Sequence, residues 1–162
     1  MWKSSIMLFI TYVLFIPITL ATVDVRTEDQ WASIRVFNRM RKNDISFQNA
    51  ALSWGKFYSG PKSNEISAAT VDETVVHPGI TKSADSCGRS GALSGVEGHL
   101  DLYDGKTKIC TLYWDCPWGS AINDFEVRDY SPTKSDYSVV VENWKRKDGP
   151  LGNVDVTVAL LG

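Results

Sequence analysis

The sequence is poor in the residues that do chemistry. Two histidines, His77 and His99, occur in 162 residues. His77 sits in the turn His77-Pro78-Gly79 and His99 on the polar side of an alternating run, so both read as surface residues. Ser90, His99 and Asp101 can be assembled into a triad on paper, but triads are defined by geometry, and no nucleophile motif surrounds Ser90. Ser59-Gly60-Pro61-Lys62 has the letters of Ser-x-x-Lys inside a turn with no helix after it. The Gly-rich run 86–91 lacks the Gly-Lys-Ser/Thr ending of a phosphate loop, and Ala92 breaks the Gly-x-Ser-x-Gly elbow. No enzyme is indicated, no metal and no cofactor.

Cysteine is scarce as well. Cys87, Cys110 and Cys116 show no CxxC or Cys/His spacing, which argues against zinc. An odd number allows at most one internal disulfide. A Cys87–Cys116 bond would tie a polar loop to an aromatic tip; the alternative is buried thiols. Charge of one sign is missing too: 17 basic against 19 acidic residues give a net charge of −2. The runs Arg39-Met40-Arg41-Lys42 and Lys145-Arg146-Lys147 are short and read as solvated turns. A nucleic-acid partner would want a basic stripe, and anionic lipid a polybasic segment. If lipid is the partner, zwitterionic headgroups fit better. There is no Asn-x-Ser/Thr sequon, no repeat, and no convincing helical periodicity.

What is present begins with an apolar leader. Lys3 is the only charge before residue 22, and the run from Ile6 to Leu20 ends in Thr19-Leu20-Ala21. This is the pattern of a secretory signal peptide cleaved after Ala21, which predicts a secreted chain. The competing reading is an uncleaved membrane anchor over residues 4–22, since 19 uncharged residues nearly span a bilayer. Residues 22–162 then form one domain.

Within it, short runs alternate with period two. Strands are predicted over Trp31–Asn38, Ile45–Tyr58 (with a bend at Gly55), Val96–Tyr103, Thr107–Asp115, Asn123–Arg128, Asp136–Trp144 and Asn153–Leu160. One or two weak strands fall within Glu65–Val76. The fold expected is a single-domain, all-β antiparallel sandwich. Ala32, Ile34 and Val36 would face the core, leaving Trp31 outward. Cys110, Leu112 and Trp114 would share another core face.

The stretch Leu112-Tyr113-Trp114-Asp115-Cys116-Pro117-Trp118-Gly119-Ser120 places three large rings beside a carboxylate at a turn. Rings with an apolar body and one polar handle suit wet–dry boundaries. They can also cup an ammonium, which Asp115 would reinforce. Arg89 would suit a phosphate. Rings, acid and Arg together describe a zwitterionic phospholipid headgroup, with a lectin-like sugar site as the neighbouring alternative.

The motifs Cys87-Gly88-Arg89-Ser90, Asp101-Leu102 and Tyr113–Ser120 resemble the aegerolysin family. So do Gln30-Trp31, Ala51-Leu52-Ser53-Trp54-Gly55-Lys56 and Leu151–Val156. The resemblance covers about residues 30–160. It implies a small β-sandwich that recognises sphingolipids, either ceramide phosphoethanolamine or sphingomyelin with cholesterol, and that assembles on membranes. It further implies a targeting role beside a larger pore-forming protein of the membrane-attack-complex/perforin class. Carried over residue by residue, the lipid-binding set is Trp31, Trp54, Tyr113, Trp114, Asp115 and Trp118, with Arg89 added from its chemistry. Two positions depart from the fungal pattern: Ser94 stands where an acid is expected, and Ala121 where a Lys is.

Overall fold

The computed structural model describes residues 27–119 and 122–162. The apolar leader, Ser120 and the departure at Ala121 lie outside the described residues.

Strand β1 (Trp31–Asn38) forms over the predicted span and buries Ala32, Ile34 and Val36 completely, with Trp31 and Arg35 facing away. The long run after it is two strands, β2 (Ile45–Trp54) and β3 (Lys56–Tyr58), divided at Gly55. Gly55 has a φ of +94°, and a Cβ there would stand 2.6 Å from the Cys87 carbonyl oxygen. Only glycine tolerates both the dihedral and the approach. At this corner the chain leaves one sheet and enters the other.

The weak stretch resolves into β4 (Glu65–Ile66), helix α1 (Ala68–Asp72) and β5 (Val75–Val76). The helix was not expected. Ser67 caps it by accepting from the Thr70 amide, and the helix buries Val71. Strand β6 (Thr81–Cys87) was also not expected. Its inward positions are Ala84 and Ser86, opposite Ile34 and Ala32, so it shows no aliphatic alternation. The remaining strands are β7 (Val96–Asp104), β8 (Thr107–Cys116), β9 (Asp124–Arg128), β10 (Tyr137–Glu142) and β11 (Gly152–Leu160).

One sheet has the order β10-β11-β1-β6-β3-β4 and the other β5-β2-β7-β8-β9. Pairing is antiparallel except between β1 and β11, which run parallel. Ile34, Val36, Val154, Val156 and Val158 line the inside of the first sheet. Phe47, Leu100, Leu102, Leu112 and Trp114 line the second, and all ten are fully buried. Each such side chain contributes about 1.5–3 kcal/mol of transfer free energy. Leu160, expected with its valine neighbours, is instead 49% exposed at the end of β11.

Strand directions sort the loops between two ends. One end collects the start of β1, the β2–β3 corner and the loops β6–β7, β8–β9 and β10–β11. The opposite end collects the β1–β2, β5–β6, β7–β8 and β9–β10 connections and the end of β11.

Candidate functional site

The first end carries most of the residues singled out in the sequence. Its loops are fixed by close backbone packing. Gly95 has a φ of +72°, and a Cβ on it would stand 2.8 Å from the Trp118 amide nitrogen and nearer still to the Cys116 carbonyl oxygen. The β6–β7 loop therefore lies directly on the turn that presents Trp118. Asn123, almost fully buried, donates from Nδ2 to the carbonyls of Lys145 (2.8 Å) and Gly149 (2.9 Å), tying the β10–β11 loop to the start of β9. Cys116 joins the two sheets here. Its Sγ donates to Gln30 Oε1 at 3.1 Å and accepts from the Leu151 amide at 3.3 Å.

Three large apolar side chains are exposed on this rim: Trp54 (56%), Leu93 (67%) and Ile122 (60%). Trp118 and Trp31 are partly exposed. Leu93 and Ile122 escaped the sequence reading, because an isolated aliphatic residue in a loop makes no period. The usable signal was an aliphatic among Gly, Ala and Ser in 91–95.

Along the second sheet's outer face, register places Trp54 beside Glu97, Glu97 beside Asp115, and Asp115 beside Asp124. Burial, then the charges of Glu97 and Asp124, push the Asp115 carboxyl above its ordinary range. The next row holds His99, Tyr113 and Glu126. The Tyr113 hydroxyl donates to Glu97 at 3.0 Å and the Arg128 guanidinium lies 3.5 Å from its ring centroid. Burial and the Glu97 contact push its phenol up to about 12. Below it, burial would raise Asp101, but hydrogen bonds from Thr111 (2.6 Å), Asn49 (2.9 Å) and Lys108 outweigh it and hold that carboxyl low. At the upper end of this face Glu97, Asp115 and Asp124 make no ion pair among the described residues, while the lower part is neutralised by Lys108.

The sign of the Asp115 effect is testable. A carboxyl raised above its unfolded value binds its proton more readily in the native state. Stability associated with it therefore falls as pH rises through its folded range. Asp115→Asn is expected to melt at a higher temperature than the parent at neutral pH. The gap should close as pH falls through the Asp115 range. Thermal melts across a pH series read this directly.

The structure divides the predicted site residues. Trp54, Asp115 and Tyr113 sit together on the second sheet's face, with Trp118 on the adjoining loop. Trp31 lies on the outer face of the first sheet instead. The Lys62 ammonium sits 5.8 Å from its ring, and a cavity of about 370 Å³ beside it is lined by Arg35, Asn143 and Lys145. Arg89 forms a two-pronged pair with Glu65 at 2.9 and 2.5 Å, so its guanidinium is engaged by a carboxylate. Trp114 lies on the inner face of its strand. It is completely buried, packs edge-on against Phe57 with ring centroids 6.4 Å apart, and touches no solvent. Its side chain alternates inward with Cys110 and Leu112, beneath the outer face that carries Tyr113 and Asp115. A disulfide is likewise absent: Cys87, Cys110 and Cys116 are free and buried. Burial raises all three thiols, that of Cys110 to about 12, which disfavours the thiolate form.

Comparison with known proteins agrees with this architecture. The Aegerolysin family model matches residues 29–160. Asp-hemolysin of Aspergillus fumigatus is 44% identical over 135 residues, covering 83% of this chain and 95% of that protein. Ostreolysin A6 of Pleurotus ostreatus is 33% identical, covering 78% and 92%. Among solved structures, RahU in complex with a TRIS molecule superposes with a TM-score of 0.77 at 33% identity, covering 83% of this chain and 98% of that one. IP-1A of Alcaligenes faecalis gives 0.75 at 34% identity, covering 85% and 96%. This chain belongs to the aegerolysin family of non-enzymatic, membrane-lipid-binding proteins.

Proposed function

We propose that the Trp54 end of the sandwich seats the protein on sphingolipid-containing membranes and recognises a phosphate–ammonium headgroup, that of ceramide phosphoethanolamine or of sphingomyelin beside cholesterol. The observation that carries this reading is the gathering of Trp54, Leu93 and Ile122, all more than half exposed, at one end of the sandwich. An exposed apolar cluster is a liability unless something covers it. Burying each such side chain in the interfacial region would contribute about 1.5–3 kcal/mol. The row Glu97–Asp115–Asp124 on the same edge supplies negative charge for an ammonium. Ser94, on the rim loop, supplies no acid there, so cholesterol dependence is a property to measure.

The protein acts as the targeting component of a two-part hemolysin, beside a larger protein of the membrane-attack-complex/perforin type, and reaches its target membrane by export through the leader.

Vesicle sedimentation tests the reading. The protein is expected to pellet with vesicles containing ceramide phosphoethanolamine or sphingomyelin plus cholesterol, and to stay in solution with phosphatidylcholine alone. Trp54→Ala should weaken binding about tenfold or more, the loss of one well-buried ring. Retention by no sphingolipid vesicle, or displacement by soluble sugars, would overturn it.

A further inference from the structure

The opposite end of the sandwich is built as carefully as the rim and is not used by that reading. Its centre is Asn38, a polar side chain with no solvent exposure. Asn38 Nδ2 donates to the carbonyls of Asn43 and Val76, both at 2.8 Å, and Oδ1 accepts from the Met40 amide at 2.9 Å. The Arg39 amide donates to the Val158 carbonyl at 2.8 Å. Together these bonds clamp the β1–β2 turn onto β5 and β11. Met40 is 4% exposed and plugs the core. With that side chain turned inward, Arg39, Arg41 and Lys42 are left on the surface of a turn held in one conformation.

None of these three cations makes an ion pair among the described residues. The acids beside them are already engaged. Asp44 pairs with His77 at 2.9 Å, and Asp104 accepts from Asn43 at 2.8 Å and from the Tyr137 hydroxyl at 3.0 Å. Arg39, Arg41 and Lys42 line a cavity of about 560 Å³ whose wall includes Leu160. Its apolar wall is the half-exposed Leu160 together with Met40. Leu161, just past β11, and Ile80, in the β5–β6 connection at the same end of the sandwich, are 52% and 45% exposed. A protein with a net charge of −2 thus sets three cations, without an ion pair among the described residues, around a hollow with an aliphatic wall.

We propose that this hollow is a docking site for an acidic segment of a partner protein that carries an apolar anchor side chain. The carboxylates would meet Arg39, Arg41 and Lys42, and the anchor would enter beside Leu160. Positive charge over an apolar hollow is the complement of such a segment. A nucleic acid would instead want a longer basic track without the aliphatic rim. The choice of protein over anionic lipid rests on the rim reading. With Trp54, Leu93 and Ile122 on a membrane, the eight residues of β1 hold this turn roughly 25 Å away from it. The chain would then act as an adaptor, lipid at one end and protein at the other.

The test is fluorescence anisotropy of the purified protein with a labelled Glu-rich peptide bearing Leu and Phe anchors, in solution without lipid. Saturable binding that weakens steeply between low and high salt is expected. A peptide with the anchors changed to Ser should bind at least about tenfold more weakly. The double variant Arg39→Glu/Arg41→Glu should weaken peptide binding by about tenfold or more. Its melting temperature and its sedimentation with vesicles should stay at parent levels, because both side chains are exposed and remote from the rim. Peptide binding that ignores the charge reversal, equal binding of the Ser peptide, or tighter binding of single-stranded RNA or heparin would each overturn the proposal. Failure of Trp54→Ala to affect vesicles would sink the rim reading alone, since the peptide arms contain no lipid.

Discussion

Trp114→Ala is expected to lose about 3–5 kcal/mol of folding stability, the range for truncating a large aromatic in a close-packed core. The ring is completely buried against Phe57. It also presses on Gly98, where an added Cβ would stand 3.1 Å from Cζ2, so the cavity left behind has little slack around it to collapse. Trp114→Phe should lose much less. The indole Nε1 has no hydrogen-bond partner among the described residues, and an unpaired buried N–H costs about 1–3 kcal/mol. Phenylalanine removes that penalty and some volume together. Chemical denaturation separates the two variants. Vesicle sedimentation of Trp114→Phe separates support from contact: a folded variant should bind lipid as the parent does. A folded variant that had lost lipid binding would show that the ring meets the ligand after all.

Gly95→Ala is the second large effect. A non-glycine residue at φ +72° is strained wherever it sits, by about 1–3 kcal/mol. Here the new methyl would also overlap backbone, at Cys116, Pro117 and Trp118, and not the yielding tip of a side chain. The turn carrying Trp118 must move, or the β6–β7 loop must lift from it. A loss of about 2–4 kcal/mol is expected from strain and overpacking combined. Vesicle affinity should fall even for the folded fraction, because Trp118 and Leu93 lose their fixed spacing. By contrast, Gly91→Ala, with open space around the position, should show the dihedral strain alone. Melting curves for the pair, with sedimentation of each, distinguish a displaced rim from a merely weakened fold. Equal behaviour of the two variants would refute the packing argument.

The sequence was most readable where period two met aliphatic residues. Ala32, Ile34 and Val36, or Val154, Val156 and Val158, alternate because one face of each strand meets the opposite sheet. β6 was unreadable for the same reason inverted: a central strand that offers Ala84 and Ser86 to the core has nothing aliphatic to repeat. Helix α1 is a single capped turn, too short for any period. At the candidate site, the aromatic stretch falls at the end of the molecule that also exposes Trp54, Leu93 and Ile122, and strand alternation already set Trp114 apart from Tyr113 and Asp115. Carrying over the family pattern position by position put it back among the contacts. Placement of Trp31 on the other outer face depends on which sheet β1 joins, and no local pattern encodes that. Leu93 and Ile122 became visible only as exposure, a property of the assembled loops.

The parallel pairing of β1 with β11 has a consequence in time. Arg35 and Asp155 face each other across 120 positions of chain, and β1's other neighbour, β6, is 52 positions away at Ser33–Asp85. Of the described strands, the earliest in the chain is therefore completed only by the latest. Until Gly152–Val158 emerge, β1 has one edge open beside its apolar row Ala32, Ile34 and Val36. Long-range closure of this kind folds slowly and leaves edges open to wrong partners. Folding that starts only after synthesis ends would begin with both partners of β1 present.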